Sequence, residues 1–373
     1  MSPYRTFIAG AMSAGLLGFD VASSGAAQGA PPAEEAALQD QSTPPSTRET
    51  YRLDESDEWL LTNAPDPATP EGQLATARRT LIEGDPDRAY ELADRWIEIY
   101  VDHPMIPLAY LIRADARQEM GDEYKALFDY ELIARLYPGS DIFLTALERE
   151  LEIAKQYANG MNRKLWGMRI VGAENEAEEL FIRIQERVPG SNLAEEAGME
   201  LGDFYFRRGQ MALAATAYDL YLQNYPDSSN LTKARRRLIA AHLASYKGPQ
   251  WDLSGLFDAR QRLREMKAVE PAAAEQLGAD ALIAAIDERA ADKLLTTAQW
   301  YLRTGDVIGA EFVIRRLVNS QPRSAAAVQA LRMIPDILNN LPDSMVHEVG
   351  QMYAAQREAI LGVTDDTGGS GDD

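Results

Sequence analysis

His103, His242 and His347 are the side chains best suited to proton transfer or metal binding near neutral pH. They are the only three histidines, and long stretches of chain separate them. None has a second histidine or a carboxylate at metal-ligand spacing in an evident site. Cysteine is absent. That excludes thiol nucleophiles, thiolate metal sites and disulfides, and with them lipid attachment to a cysteine of this sequence. Acidic pairs such as Glu34-Glu35 and Glu178-Glu179 are of the kind that solvated segments carry, and nothing marks either pair as a general acid and base. No phosphate-cradling loop, nucleophile-elbow serine or dinucleotide fingerprint occurs. The residues therefore predict no catalytic site, no metal and no cofactor.

What the chain does have is a ruler. In LGDFYFRRGQMALAATAYDLYLQNYP (201–226), Ala214 and Pro226 stand five and seventeen residues after Gly209. Gly121, Ala126 and Pro138 keep the same spacing, as do Gly172, Ala177 and Pro189, and Gly305, Ala310 and Pro322. Ser254, Ala259 and Pro271 form a degenerate copy, and Gly84, Ala89 and Pro104 a longer one. Recurrence of this kind signals a stack of helical hairpins. The glycine ends a first helix in a left-handed turn. The alanine sits where the two helices cross, and the proline stops the second helix. Leu201, Gly202 and Tyr205 precede Gly209 at offsets that share one helix face. The predicted fold is all-α, a superhelical solenoid of about six irregular helix-turn-helix units, with insertions where the spacing lengthens.

The Leu201, Gly202, Tyr205, Ala214, Pro226 set resembles the tetratricopeptide repeat, and the resemblance runs over roughly residues 71–340. It implies a wall of first helices that binds peptides or proteins. Its lining positions fall on Asp115, Gln118 and Glu119; on Asp203, Phe206 and Arg207; and on Gln299, Leu302 and Arg303.

Residues 1–27 read as an export signal: Arg5, an uncharged run Phe7–Phe19, then the small residues Ser24-Gly25-Ala26-Ala27. Residues 28–70, acidic and rich in Pro and Ala, read as a disordered linker interrupted by Trp59-Leu60-Leu61. Residues 71–362 hold the repeats, and 363–373 form a disordered acidic tail. NGMNRKLWGMRIV (159–171) is the most unusual stretch. One reading is a loop that tucks its apolar residues into the core. The other is a contact with a partner or an anionic lipid surface through Arg163, Lys164, Trp166 and Arg169. The basic run Lys233, Arg235, Arg236 and Arg237 reads as a solvated helix face. A net charge of −21 makes nucleic acid an improbable partner.

An exported chain of irregular tetratricopeptide units looks like the BamD type of outer-membrane assembly lipoprotein. The resemblance lies in the Gly121–Pro138 unit, in Pro189-Gly190-Ser191, and in AEEAGMELGDFYFRRGQMALAATAYDLYLQNYPDS. It implies a non-catalytic periplasmic scaffold, associated with the outer membrane, that binds β-barrel assembly components or unfolded barrel substrates. The departure is the missing lipidated cysteine. The alternative is a periplasmic tetratricopeptide adaptor for cell-wall synthesis or division, although no heptads of the coiled coil common there appear in residues 28–70.

Overall fold

The computed structural model of the protein describes residues 50–53, 59–63 and 66–362. The expected export signal, most of the linker and the tail lie outside the described residues. Within the linker, β1 (Thr50–Leu53) pairs antiparallel with β2 (Trp59–Asn63). The linker reading did not include this hairpin. Thr, Tyr, Trp and Leu on the two strands have the β preference that makes it.

From residue 70 onward the described chain is helical, apart from one further hairpin. The first two helical hairpins are α1 (Pro70–Ile82) with α2 (Pro86–Ile99) and α3 (Ile106–Glu119) with α4 (Glu123–Leu136). In the third, α5 (Phe143–Ala158) is followed by β3 (Arg163–Leu165) and β4 (Met168–Val171), then by α6 (Glu174–Arg187). The fourth is α7 (Asn192–Arg207) with α8 (Met211–Asn224), and the fifth α9 (Leu231–Ala244) with α10 (Ser254–Val269). A short α11 (Pro271–Leu277) leads to the sixth, α12 (Ala279–Arg303) with α13 (Val307–Ser320). The described chain closes with α14 (Ala325–Arg332), α15 (Ile334–Leu338) and α16 (Asp343–Leu361).

Each helix packs on the next in chain order, and first helices of successive hairpins also touch, as α1 does α3 and α5 does α7. The core is correspondingly serial, four apolar clusters following one another along the chain. No hairpin could bury its apolar face alone.

The ruler alanines do what their spacing predicts. Ala89, Ala126, Ala177, Ala214, Ala259 and Ala310 are all 0 % exposed, at the helix crossings. Gly84, Gly121, Gly209 and Gly305 end first helices with φ between 71° and 86°. The residue after each donates its N–H to the carbonyl five positions back, as Gln210 does to Tyr205 at 3.0 Å. Gly172 departs from this pattern and its φ is not positive. The left-handed cap of α5 is Gly160 instead, φ 95°, with Met161 N–H on the Gln156 carbonyl. The β3–β4 hairpin is thus inserted between the cap and α6, and only the second-helix half of the ruler survives there. Ser254 likewise begins α10 instead of ending α9, because residues 246–253 lengthen that turn.

Candidate protein-binding surface

The first helices α3, α7 and α12 carry the predicted wall positions at their C-terminal ends, in the second, fourth and sixth hairpins, but they do not leave them equally free. Asp115 accepts from Tyr130 Oη at 2.6 Å and from Arg149 Nε, on α5, at 3.2 Å. Gln118 accepts from the same tyrosine at 2.9 Å. Burial pushes the Asp115 carboxyl up, and the hydrogen bonds from Tyr130 and Arg149 oppose that. Asp203 repeats the arrangement. It accepts from Tyr218 Oη and faces Lys233 Nζ at 3.3 Å and Arg237 Nε at 3.6 Å, both on α9. Each aspartate ties its own second helix to the next first helix. Phe206 is half-buried beneath Arg237, 5.4 Å from ring centre to guanidinium. Leu302 packs against the last apolar cluster, and Gln299 is half-buried. Glu119, Arg207 and Arg303 are the exposed members of the set.

The basic run on α9 also ties hairpins together, with Lys233 and Arg237 exposed as a solvated face would have them. Lys233 and Arg237 reach back to Asp203, whereas Arg235 pairs forward with Glu270 and Arg236 with Gln276 at 3.1 Å. Other junctions carry buried ion pairs. Asp129, on α4, takes Arg113 at 2.6 and 3.0 Å and Arg117 at 2.9 Å, while Arg113 also holds Asp94 of α2 at 2.7 Å. Glu150, at 0 % exposure, meets Arg187 at 3.2 Å, and Arg187 and Arg183 both bind Glu131. Burial pushes the Glu150 carboxyl up to about 7, against the pull of Arg187.

The stretch 159–171 departs from the reading that tucks its apolar residues into the core. Lys164 and Arg169 are cross-strand partners on one face of the β3–β4 hairpin. Lys164 Nζ donates to the Met120 carbonyl at 2.9 Å, and Arg169 donates to the Gly121 carbonyl at 3.3 Å and to Glu123 at 2.6 Å. Two like charges side by side are thereby held against the carbonyl end of α3, where cations are stabilised. Arg163 pairs with Glu176 at 2.8 Å and lies 4.6 Å over the Tyr124 ring. The basic residues fix the hairpin to its neighbours, and Arg169 stays exposed while doing so. Met161 packs on the core. The apolar residues expected to tuck inward point out instead: Leu165 is 41 % exposed, Trp166 88 %, Met168 57 % and Ile170 56 %.

The reactive residues stay apart. His103 lies 3.5 Å from Glu71, His347 bonds Gln351, and His242, whose pKa burial lowers, is 3.9 Å from Asp258. Glu178 accepts from Tyr205 at 2.8 Å, while Glu179 pairs with Arg183; Glu34 and Glu35 lie outside the described residues. Among the described residues no cluster could hold a metal ion. A cleft of about 640 Å³, open to solvent, lies between α8, α10 and the long α9–α10 turn. Within its lining Asp219 pairs with Arg262 at 2.5 Å, and the exposed Trp251 sits under Lys247.

Serial helical hairpins, alanine crossings and left-handed glycine caps define a tetratricopeptide-repeat protein, a fold that serves as a protein-interaction scaffold. Over residues 171–347, just under half of the chain, the sequence matches the outer membrane lipoprotein family YfiO. That match begins at the last residue of β4. No curated protein matches the chain. Similar solved structures include the C-terminal part of a repeat-containing protein from Cytophaga hutchinsonii, 13 % identical, covering 70 % of this chain and 88 % of that one at a TM-score of 0.35. Pseudomonas aeruginosa PilF is 12 % identical over 70 % of this chain and 95 % of its own, TM-score 0.28. The type IV pilus biogenesis factor PilW is 17 % identical over 70 % and 98 %, TM-score 0.27.

Proposed function

We propose that this chain is an exported, non-catalytic scaffold that works at the periplasmic side of the outer membrane. It holds other proteins along the wall of first helices during assembly of outer-membrane β-barrel proteins. The observation that carries this reading is the match of residues 171–347 to an outer membrane lipoprotein family. That segment spans hairpins whose first helices, α7, α9 and α12, form part of the wall. The dispersal of histidines and the pairing of buried carboxylates support a binding role over a catalytic one. No described helix is long and apolar enough to cross a membrane, and the sequence carries no cysteine for a lipid anchor. Exposed Glu119, Arg207 and Arg303 are the recognition residues, and the aspartates behind them keep the wall in register. The test is a crosslinked pull-down from the native cell envelope. Recovery of a large outer-membrane β-barrel protein is expected. Recovery of cell-wall synthesis or division proteins in its place would transfer the chain to the alternative adaptor role.

A further inference from the structure

The β3–β4 hairpin has two unlike faces. One is pinned to the α3–α4 turn by Lys164 and Arg169. The other shows solvent Leu165, Met168 and Ile170, with Trp166 at the tip. Trp166 and Gly167 form the two-residue turn with φ of 52° and 80°. Among the described residues Trp166 is the only non-glycine with positive φ. A left-handed conformation costs a side chain of this size about 1–2 kcal/mol, and asparagine or aspartate is the usual occupant of that turn position. The fold recovers nothing from the indole, which is 88 % exposed. Backbone strain of this kind, held in place by surrounding structure, points toward function.

We propose that this hairpin is a lipid contact: Trp166, with Leu165, Met168 and Ile170 behind it, enters the headgroup–acyl boundary of a bilayer whose surface is uncharged overall. Four observations select this occupant. The four side chains present on the order of 500 Å², below the roughly 800 Å² per partner of a standard protein interface. They sit on a protruding turn, a form that suits insertion better than face-to-face docking. A tryptophan has the amphipathic ring that settles at membrane interfaces. The fourth is charge. Arg163 and Arg169 are offset by Glu176 and Glu123, and Lys164 is tied to the Met120 carbonyl, so the hairpin offers an anionic headgroup little uncompensated charge. A chain of net charge −21 is repelled by a negative surface. The contact is therefore apolar and zwitterionic, not electrostatic. It is independent of what the first-helix wall binds.

The test is flotation of the full chain with phosphatidylcholine–phosphatidylethanolamine vesicles. The double variant Trp166→Ser/Met168→Ser should bind at least about tenfold more weakly, because it removes most of the apolar area available for transfer. Its thermal unfolding should be unchanged, since neither side chain is buried. The apolar run 7–19 is present in both forms, so a second readout isolates the hairpin. Vesicles with brominated acyl chains should quench tryptophan fluorescence of the wild type, and Trp166→Phe should lose that quenching while still floating. Equal flotation and equal quenching of all forms would overturn the proposal. So would binding that appears only when anionic phosphatidylglycerol is added. A concentration-dependent dimer abolished by the double variant would also overturn it, by making a second copy the occupant.

Discussion

Tyr218 donates its hydroxyl to Asp203, and fifteen residues separate them; Tyr130 donates to Asp115 at the same separation, in an earlier hairpin. Both tyrosines are 0 % exposed. In each case the aspartate also meets a cation from the next first helix, Arg149 in one and Lys233 and Arg237 in the other. One carboxylate thus fixes three helices. Its place on the wall makes it part of the wall's construction before it can be part of any recognition.

Tyr218→Phe should accordingly lower stability by about 1–3 kcal/mol, since it removes a hydrogen bond to a half-buried carboxylate that keeps only Lys233 and Arg237. Urea denaturation measures this directly. A stability equal to wild type, with only partner binding altered, would assign Asp203 to recognition alone.

Gly202 lies so close to Tyr218 that a Cβ built on it would stand 2.5 Å from the ring. Gly202→Ala should therefore destabilise by about 1–3 kcal/mol through overpacking. This holds even though alanine is the better helix former by nearly 1 kcal/mol at exposed sites. A rise in melting temperature would show that α7 and α8 have room to separate.

Asp129 joins Arg113 and Arg117, and Arg113 bridges on to Asp94. Removing one partner of a buried pair costs about 3–5 kcal/mol because charge is left uncompensated. Asp129→Ala should show that loss, and hydrogen exchange should locate it first in α2 to α4. Uniform protection across the chain would mean the hairpins unfold together and not in sequence.

Glu150 gives a pH dependence whose sign is set. Its carboxyl titrates near 7 when folded and near 4.5 when free. Between those values the folded chain holds a proton that the unfolded chain has released. Its contribution to stability therefore falls as pH rises from about 4.5 to about 7 and is flat above. Glu150→Gln should remove that slope and raise stability at pH 8 by about 1–3 kcal/mol. Parallel profiles for the variant and the wild type would show that Glu150 stays ionised in the fold.

The sequence carried the hairpins well, because glycine caps, alanine crossings and proline stops are local requirements with fixed offsets. Ala126, Ala177, Ala214 and Ala310 are buried as those offsets demand. The ruler misread Gly172, because an insertion leaves the second half of a unit in register while moving its cap to Gly160. In 163–171 the composition left two readings open, apolar residues tucked into the core or a contact through Arg163, Lys164, Trp166 and Arg169. The pleat rules out the first: alternation puts Lys164 and Arg169 on one side and exposed apolar residues on the other. Leu-Trp-Gly-Met, a glycine-containing turn between alternating residues, was the available signal. The wall positions had a second signal in the repeated Asp-to-Tyr separation. Which of them face a partner depends on ion pairs between hairpins, and no local pattern shows those.

The central claim is that the first helices hold a protein partner at the outer membrane. Photo-crosslinking groups placed singly at Glu119, Arg207 and Arg303, and for contrast at exposed Phe312 on α13, test it in native cells. The account predicts adducts from the first three positions to a large outer-membrane β-barrel protein, and none from the fourth. Adducts from Phe312 alone, or adducts from the wall only to cell-wall synthesis proteins, would contradict it.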